Sequence, residues 1–336
     1  MKIRFIIDRT FSTLLMLFGI VLITFVLTHV IPADPARIAA GLRATPQQVA
    51  AVRREMGLDQ PLYVQLLRYL VQLAHGNLGT SFVTFRPVSS DIALYFPATL
   101  ELVLCAMFVM VVLGLLAGVF VATTPWTAAR LSVKFAALLA LGAPVFLTAL
   151  LAQILFFGRL GWLPVSGRIS GPAPMHITGL YLLDALITLN FAAFASAATH
   201  MILPALTLAL SRFGVIMRFV DEQLSTALKA DYIRTAKAKG LRSSLVVWKH
   251  AMKNALIPVV TMVGLQFGWL LGGTVLVESI YSWPGLGAYL VNSITSLDFM
   301  PVIGVAIVLG AAFAVINLIV DIIQQMLDPR IGELDG

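Results

Sequence analysis

The chain has 336 residues, 59% of them hydrophobic and only 12% charged, with a net charge of +7. Soluble domains average about 25% charged residues, so this composition excludes an ordinary soluble enzyme. Mean hydropathy is +0.94, and the missing charge clears whole windows of about 20 residues, the length of a bilayer crossing. The single cysteine, Cys105, excludes an internal disulfide framework or cysteine metal cluster. Much of the excess Lys and Arg sits beside apolar spans, as the positive-inside rule expects, which removes the usual argument for a nucleic-acid partner.

Lys2, Arg4 and Arg9 precede an apolar run from Phe11 to Ile31. A run of about 20 residues is longer than a signal-peptide core, and no cleavage site is clear. Residues 1–31 are therefore expected to be a cytoplasmic N-terminus and an uncleaved first span. Residues 32–96 hold Pro32, Asp34, Pro35, Pro46, Pro61 and Pro87, with mixed charge and no spanning run. Thr45 is expected to cap a helix with Pro46 in its first turn and Gly57 at its end, and PLYVQLLRYLVQLAHG to continue as a second, amphipathic helix. This reads as a small external helical subdomain; its arginines are no obstacle, because long loops cross largely regardless of charge.

Residues 97–336 are expected to form a core of five further spans. The second runs from about Pro97 to Val121, with Gly114 and Gly118 spaced for close helix contact. The third runs from Val133 to Phe157, interrupted by Gly142 and Pro144. A Pro/Gly-rich external loop comes next. The segment 177–194, interrupted by Asp184 and Asn190, is expected at the membrane interface, because a span there would place the basic insert 221–253 outside. The fourth span is expected at 200–219, the fifth at 255–277 and the sixth at 301–323, with the tail DPRIGELDG in the cytoplasm. Six spans with both ends inside is the most economical topology.

The chain contains no G-x-x-x-x-G-K-[ST] phosphate loop, no H-E-x-x-H and no G-x-S-x-G. His29, His75, His176, His200 and His250 are scattered rather than paired at helical spacing. No catalytic constellation, metal site or cofactor site is therefore expected within the chain. What stands out is the polar stretch DYIRTAKAKGLRSSLVVWKHAMKNALIP, which carries six Lys/Arg and one acid between Asp231 and Lys253. Asp231 is expected to cap a short helix through Ala238, with Gly240 in its C-terminal turn. Tyr232, Ala236 and Lys239 fall on one face. Ser243 is expected to start a second helix with Leu245, Val246 and Trp248 toward the bundle and Lys249 and Lys253 toward water. Pro258 fits near the start of the next span. Physics alone leaves two readings open: a partner's docking helix, or an ordinary positive-inside loop meeting lipid headgroups.

Within the fifth span, Gly264, Gly268 and Gly272 recur every four residues, a face for static packing or for a moving gate. Glu101, Gln266, Asn317 and Asp321 are polar at membrane depth, where such groups often mark a pathway; Glu101 and Asp321 lie near span ends, where water is easily reached.

The insert resembles the cytoplasmic EAA loop of ABC-importer permeases, in the dipeptide/oligopeptide/nickel branch. Ala236 and Gly240 match the E-A-A-x-x-x-G pattern; Arg234 and Thr235 replace its Glu and first Ala, and Lys253 stands where a Pro would be, departures that the peptide branch shares. HVIPADP at 29–35, HGNLGTS at 75–81, LGWLPVSG at 160–167, ESIYSWPGLG at 278–287 and the terminal DPRI resemble that branch too. The long first external loop is like that of its B-type dipeptide permease subunits. The resemblance implies an all-α, type I (MetI-like) permease fold with six transmembrane helices. It implies a non-enzymatic subunit of a bacterial inner-membrane importer, forming half of a path for dipeptides. The implied partners are a second homologous permease subunit, two ABC ATPase subunits that bind ATP and Mg, and a periplasmic substrate-binding protein. Asp231, Tyr232, Thr235, Ala236, Ala238, Lys239 and Gly240 become the ATPase-coupling candidates. A nickel, metal-chelate or glutathione-like importer uses the same design; an ATPase-independent channel or secondary transporter is the remote alternative.

Overall fold

The computed structural model describes residues 3–30, 35–41, 44–55 and 57–327. Among them the regular structure is helical, apart from one isolated antiparallel bridge between Thr80 and Pro87. Contacts divide the chain into two compact units. One gathers residues 6–96 and 289–312, the other 97–288 and 313–327 with the short stretch 3–5. The expectations for Pro32, Asp34 and the tail from Asp328 lie outside the described residues.

The first unit begins with helix α1, Ile3–Val30, whose apolar stretch is Thr10–Val26. Helices α2 (Pro35–Ala40), α3 (Pro46–Glu55) and α4 (Leu62–Ala74) come next. The start of α3 is a capping box: the Gln48 amide donates to Thr45 Oγ1 at 3.4 Å, and Gln48 Oε1 accepts from the Thr45 amide at 2.8 Å. Past its end, Gly57 takes φ +69°, a left-handed turn that suits glycine. The turn from Gly79 to Val88 is tied to residues far along the chain. Ser81 Oγ donates to Asp298 at 2.6 Å, and the Val83 amide donates to the same carboxylate at 3.2 Å. Asp91 accepts from Thr84 Oγ1 at 2.6 Å and from the Tyr289 hydroxyl at 3.0 Å. The motif HGNLGTS thus closes a knot of hydrogen bonds with the segment around Asp298.

Helix α5, Val88–Thr123, carries the chain into the second unit and starts nine residues before the expected Pro97, which lies inside it. Gly114 and Gly118 do bring helices together. A Cβ at Gly114 would stand 2.6 Å from Ile216 Cβ, and one at Gly118 2.6 Å from Val220 Cβ. Both neighbours belong to the helix Phe213–Ala227, α10 in chain order. Gly118→Leu should therefore lower the thermal midpoint of the purified chain in detergent by an amount equivalent to about 1–3 kcal/mol, the usual penalty for overpacking; an unchanged midpoint would show that this helix pair can open.

The expected third span is broken more sharply than an interruption. Helix α6 (Thr127–Gly142) and helix α7 (Val145–Ala152), extended by a π-helical stretch Gln153–Arg159, meet at 104°. Ala143 is extended at φ −75°, ψ 129°, the conformation a residue before proline prefers, and Pro144 supplies no N–H to carry the ladder across.

Segment 177–194 does not form one helix. Helix α8 is only Tyr181–Ile187, and Leu189 turns at φ +53°. Asn190 then caps α9, Phe191–Leu210, by accepting from the Ala193 amide at 3.0 Å. The fourth apolar helix is accordingly α9 and not 200–219, which crosses a break at Ser211 and Arg212 before α10. Hydropathy misplaces it because Phe213–Ala227 is amphipathic and buries one face, including Ile216, Val220 and Leu224.

After α10 come α11 (Asp231–Ala238), α12 (Ser243–Leu245) and a π-helical turn Val246–Ala251. Helix α13 (Met252–Ile280), α14 (Leu286–Thr295) and α15 (Phe299–Leu327) complete the chain. Pro258 sits inside α13 and not at its start, since the helical run already begins at Ser243. By length and composition, four helices among the described residues are able to cross a membrane: α5, α9, the run Ser243–Ile280, and α15 over Phe299–Gln324. The bent α6–α7 pair makes a fifth if it is one span. Helix α10 packs on α13 and α6, and α13 also meets α7 and α9, so these elements form the heart of the unit.

Candidate functional site

Helix α11 is short, and its two sides differ. Ile233 and Ala236 point into the chain, at 0% and 6% exposure. Asp231, Tyr232, Arg234, Thr235, Lys237, Ala238 and Lys239 are exposed. At a helical period, Asp231, Thr235 and Ala238 stand at i, i+4 and i+7 along the outermost line. Two sequence expectations change. Ala236 does not share an outward face with Tyr232 and Lys239, because its small side chain is what lets α11 lie close on the protein. Asp231 is the first helical residue and not the cap. Ala230 occupies the cap without a side-chain bond, while the Asp231 carboxylate accepts from Arg234 at 3.2 Å in open solvent. The other end is as expected, with Gly240 at φ +74° reversing the chain.

The segment after α11 also departs from expectation. Val246 is buried at 1%, but Leu245 and Trp248 are exposed at 42% and 49%. The expectation rests on an α-helical period, whereas a π turn occupies Val246–Ala251. It brings Val246 and Ala251, five residues apart, to the buried side and leaves Trp248 outside.

The motif ESIYSWPGLG builds a second constellation. Glu278 is fully buried; its carboxylate accepts from Thr99 Oγ1 at 2.6 Å and from the Ala288 amide at 3.0 Å. The Leu286 amide donates to the same Thr99 oxygen at 2.7 Å, and Trp283 Nε1 donates to the Ala98 carbonyl at 3.0 Å. Gly285 and Gly287 are required by this packing. A Cβ on Gly285 would collide with Glu278 Oε1, and one on Gly287 would stand 2.6 Å from Val275 Cα. Motif LGWLPVSG joins in: the Gly167 amide donates to the Tyr281 carbonyl at 2.9 Å, which fastens the loop to the turn after α13. The Tyr281 hydroxyl pairs with Thr207 Oγ1 at 3.0 Å.

Glu101, expected as a pathway residue, is engaged beside this turn. Its carboxylate receives Arg168 Nη2 at 2.6 Å and the Leu182 amide at 2.7 Å, and both side chains of the ion pair are 6% exposed. The Arg168 guanidinium also lies 3.7 Å from the centre of the Tyr181 ring. Asp184 holds the far side of the loop, accepting from the amides of Ile177, Thr178 and Gly179 and from the Thr178 hydroxyl. Burial opposes its charge, but these donors outweigh it and hold the carboxyl below its ordinary range. His200 is structural as well, with its ring nitrogens 2.7 Å from the Ser196 carbonyl and 3.1 Å from Ser170 Oγ.

The glycine stripe of α13 is used in part. A Cβ at Gly264 would stand 2.8 Å from Val320, and one at Gly268 2.7 Å from Phe313, both on α15, while Gly272 has open space. Gln266 is buried at 4%, with a 3.6 Å contact to the Met262 sulfur and no hydrogen-bond partner for its Oε1 among the described residues. Asn317 is half-buried on α15. Arg168 and Thr99 are the residues that sequence reading passes over. In the sequence Arg168 is one more cation in a Pro/Gly-rich loop, and only its distant partner reveals its place.

Apolar helices long enough to span a bilayer, with an exposed basic helix between two of them, define an integral membrane protein. The chain belongs to the family of binding-protein-dependent transport system inner membrane components, which matches residues 110–333; the N-terminal region of such components matches residues 2–103. It is 43% identical to the probable D,D-dipeptide transport system permease protein DdpB of Escherichia coli K12, over 98% of this chain and 97% of that protein. It is 39% identical to the dipeptide transport system permease protein DppB of Alkalihalophilus pseudofirmus, over 94% of this chain and 95% of that protein. It is 38% identical to a glutathione transport system permease protein, GsiC, of Escherichia coli O6:H1, over 98% and 99% of the two chains.

Proposed function

We propose that this permease forms half of the translocation path of an ABC importer for dipeptides, and that α11 is the helix through which separate ATPase subunits drive it. The observation that carries the reading is the outward line of Asp231, Thr235 and Ala238, closed by Gly240 at φ +74°. Small side chains on an exposed helix allow a partner's groove to approach the backbone, and Lys237 and Lys239 offer charge to its rim. In this reading the chain crosses the inner membrane six times with both ends in the cytoplasm, and residues 32–96 form an external subdomain. A second homologous permease completes the path, two ATPase subunits bind ATP and Mg, and a soluble binding protein delivers the peptide. ATP binding closes the ATPase pair, moves the docked helices and tilts the spans between inward- and outward-facing states. Gln266 is the pathway residue we favour: among the described residues its buried Oε1 has no hydrogen-bond partner, so it meets a passing polar group once the spans tilt apart.

The dipeptide assignment draws on the relatives named for D,D-dipeptide and dipeptide transport. Glutathione is the second reading, because a relative so named is nearly as similar over the whole chain. Uptake into vesicles carrying the assembled importer tests both: dipeptide accumulation that needs ATP and is displaced by excess unlabelled dipeptide, but not by glutathione or chelated nickel, is expected. Displacement by glutathione alone would transfer the assignment. Vesicles holding this chain without ATPase subunits should hydrolyse no ATP, and hydrolysis there would overturn the subunit reading.

A further inference from the structure

One cation of the second unit takes no part in the constellation around Glu278 or in the docking helix. Arg212 stands in the break between α9 and α10. Its guanidinium lies over the Trp269 ring of α13, 4.0 Å from the ring centre. Arg168, by contrast, is neutralised by Glu101 at 2.6 Å. We infer that Arg212 receives the carboxylate of a peptide in transit, and so selects cargo that carries a free C-terminal acid group.

Depth is the first support. Trp269 lies about 21 Å along the axis from Ala255 and about 12 Å from Val277, the two ends of the apolar part of α13, at the α-helical rise. Side chains lean toward the N-terminus of their helix, so the ring and the cation over it stand nearer still to the middle of the span. That is too deep for an arginine to snorkel to the headgroups.

Charge is the second. Helices α6, α7 and α9 carry no Asp or Glu, and α13 carries none before Glu278, which Thr99 engages. On α10 the first acid is Asp221, about 13 Å farther along the axis and paired with Lys134 at 2.8 Å. Asp321 of α15 follows Val320, the neighbour of Gly264, and so lies toward the Ala255 end of α13. Among the described residues no carboxylate pairs with Arg212. The positive end of α10, which Arg212 caps, adds to the field instead of offsetting it.

A charged group inside a membrane faces a water-filled path or an opposite charge, because bare hydrocarbon does not solvate it. The indole holds the cation without neutralising it, since a ring quadrupole carries no net charge. Trp269 itself is 61% exposed, so the pair lies on an open face. What the site lacks is an anion, and a guanidinium takes a carboxylate through two parallel N–H donors. One turn earlier on α13, Gln266 Oε1 lacks a donor. A short peptide brings both, its carboxylate and its N–H groups, whereas an acidic side chain of a neighbouring subunit brings only the first. The inference rests on the reading of the chain as a peptide permease.

The test supplies the assembled importer in vesicles with dialanine or its C-terminal amide, each at a concentration that saturates the binding protein. The parent should take up dialanine about tenfold faster than the amide, as expected where a site's polar group is left unpaired by the analogue. Arg212→Gln should bring that ratio close to one by slowing dialanine. Arg212→Lys, which keeps the charge, should restore most of it. ATP hydrolysis stimulated by the loaded binding protein, and co-purification of the second permease, should persist in both variants. A parent ratio near one, or a ratio unchanged in Arg212→Gln, would overturn the inference. Equal losses for both compounds would also overturn it, since that is the mark of a structural role. Loss of the second permease from Arg212→Gln would assign the cation to an acid of that subunit instead. A parent that transports no dialanine would overturn the dipeptide reading itself, and this inference with it.

Discussion

Ala238→Arg should abolish ATP-driven uptake while the chain still inserts in the membrane. Ala238 is exposed on the outward line of α11, beside Thr235, in the proposed interface with the ATPase. A bulky cation forced into a closely packed interface costs about 2 kcal/mol or more, a loss of roughly thirtyfold or greater in association. The same substitution at Ala236 is a different experiment. Ala236 is 6% exposed and faces its own chain, so arginine there should loosen the insert itself and lower the thermal midpoint. Uptake, ATPase co-purification and thermal stability measured on both variants separate docking from folding. Normal uptake by Ala238→Arg would remove α11 from the coupling interface.

Arg168→Met should be the most destabilising single change in the bundle. It strips the cation from Glu101, whose carboxylate is 6% exposed, and breaking one side of a buried pair costs about 3–5 kcal/mol. Replacing both partners, as Arg168→Met with Glu101→Leu, should recover most of the lost midpoint in detergent, because the uncompensated charge is gone. The amide of Leu182 then loses its acceptor, so recovery should stop short of the parent. If the single variant keeps its stability but loses transport, and the double does not recover it, Arg168 acts in translocation and not in holding the loop.

How far the sequence can be read depends on the reach of each interaction. The capping box at Thr45 and Gln48, the turn at Gly240 and the break before Pro144 are decided within a few residues, and they are legible. The close approaches at Gly114 and Gly118 are legible too, because spacing alone announces them. Trp248 is misassigned because a π turn replaces the α-helical period, and only packing against the rest of the unit selects that turn. The fourth span is shifted because Asn190 caps a helix that starts there and ends at Leu210, whereas hydropathy carries the apolar window on into the amphipathic α10. Glu278 and Thr99 are 179 residues apart, and Arg168 and Glu101 are 67 apart. No local pattern connects them. The outward line of α11 is visible as a run of small residues, but which alanine faces out depends on Ile233 being drawn inward.

The setting of Glu278 bears on how the protein is made. A carboxylate entering a bilayer helix costs about 2.5–3.5 kcal/mol at the helix centre and less near its end. Ribosomes deliver the chain from its N-terminus, so Thr99 is already in the membrane when α13 emerges. Thr99 precedes the acid in the chain, whereas the amides of Gly287 and Ala288 follow it. The carboxylate of α13 therefore depends on a partner from α5, made well before it, and on the turn that follows it in the chain.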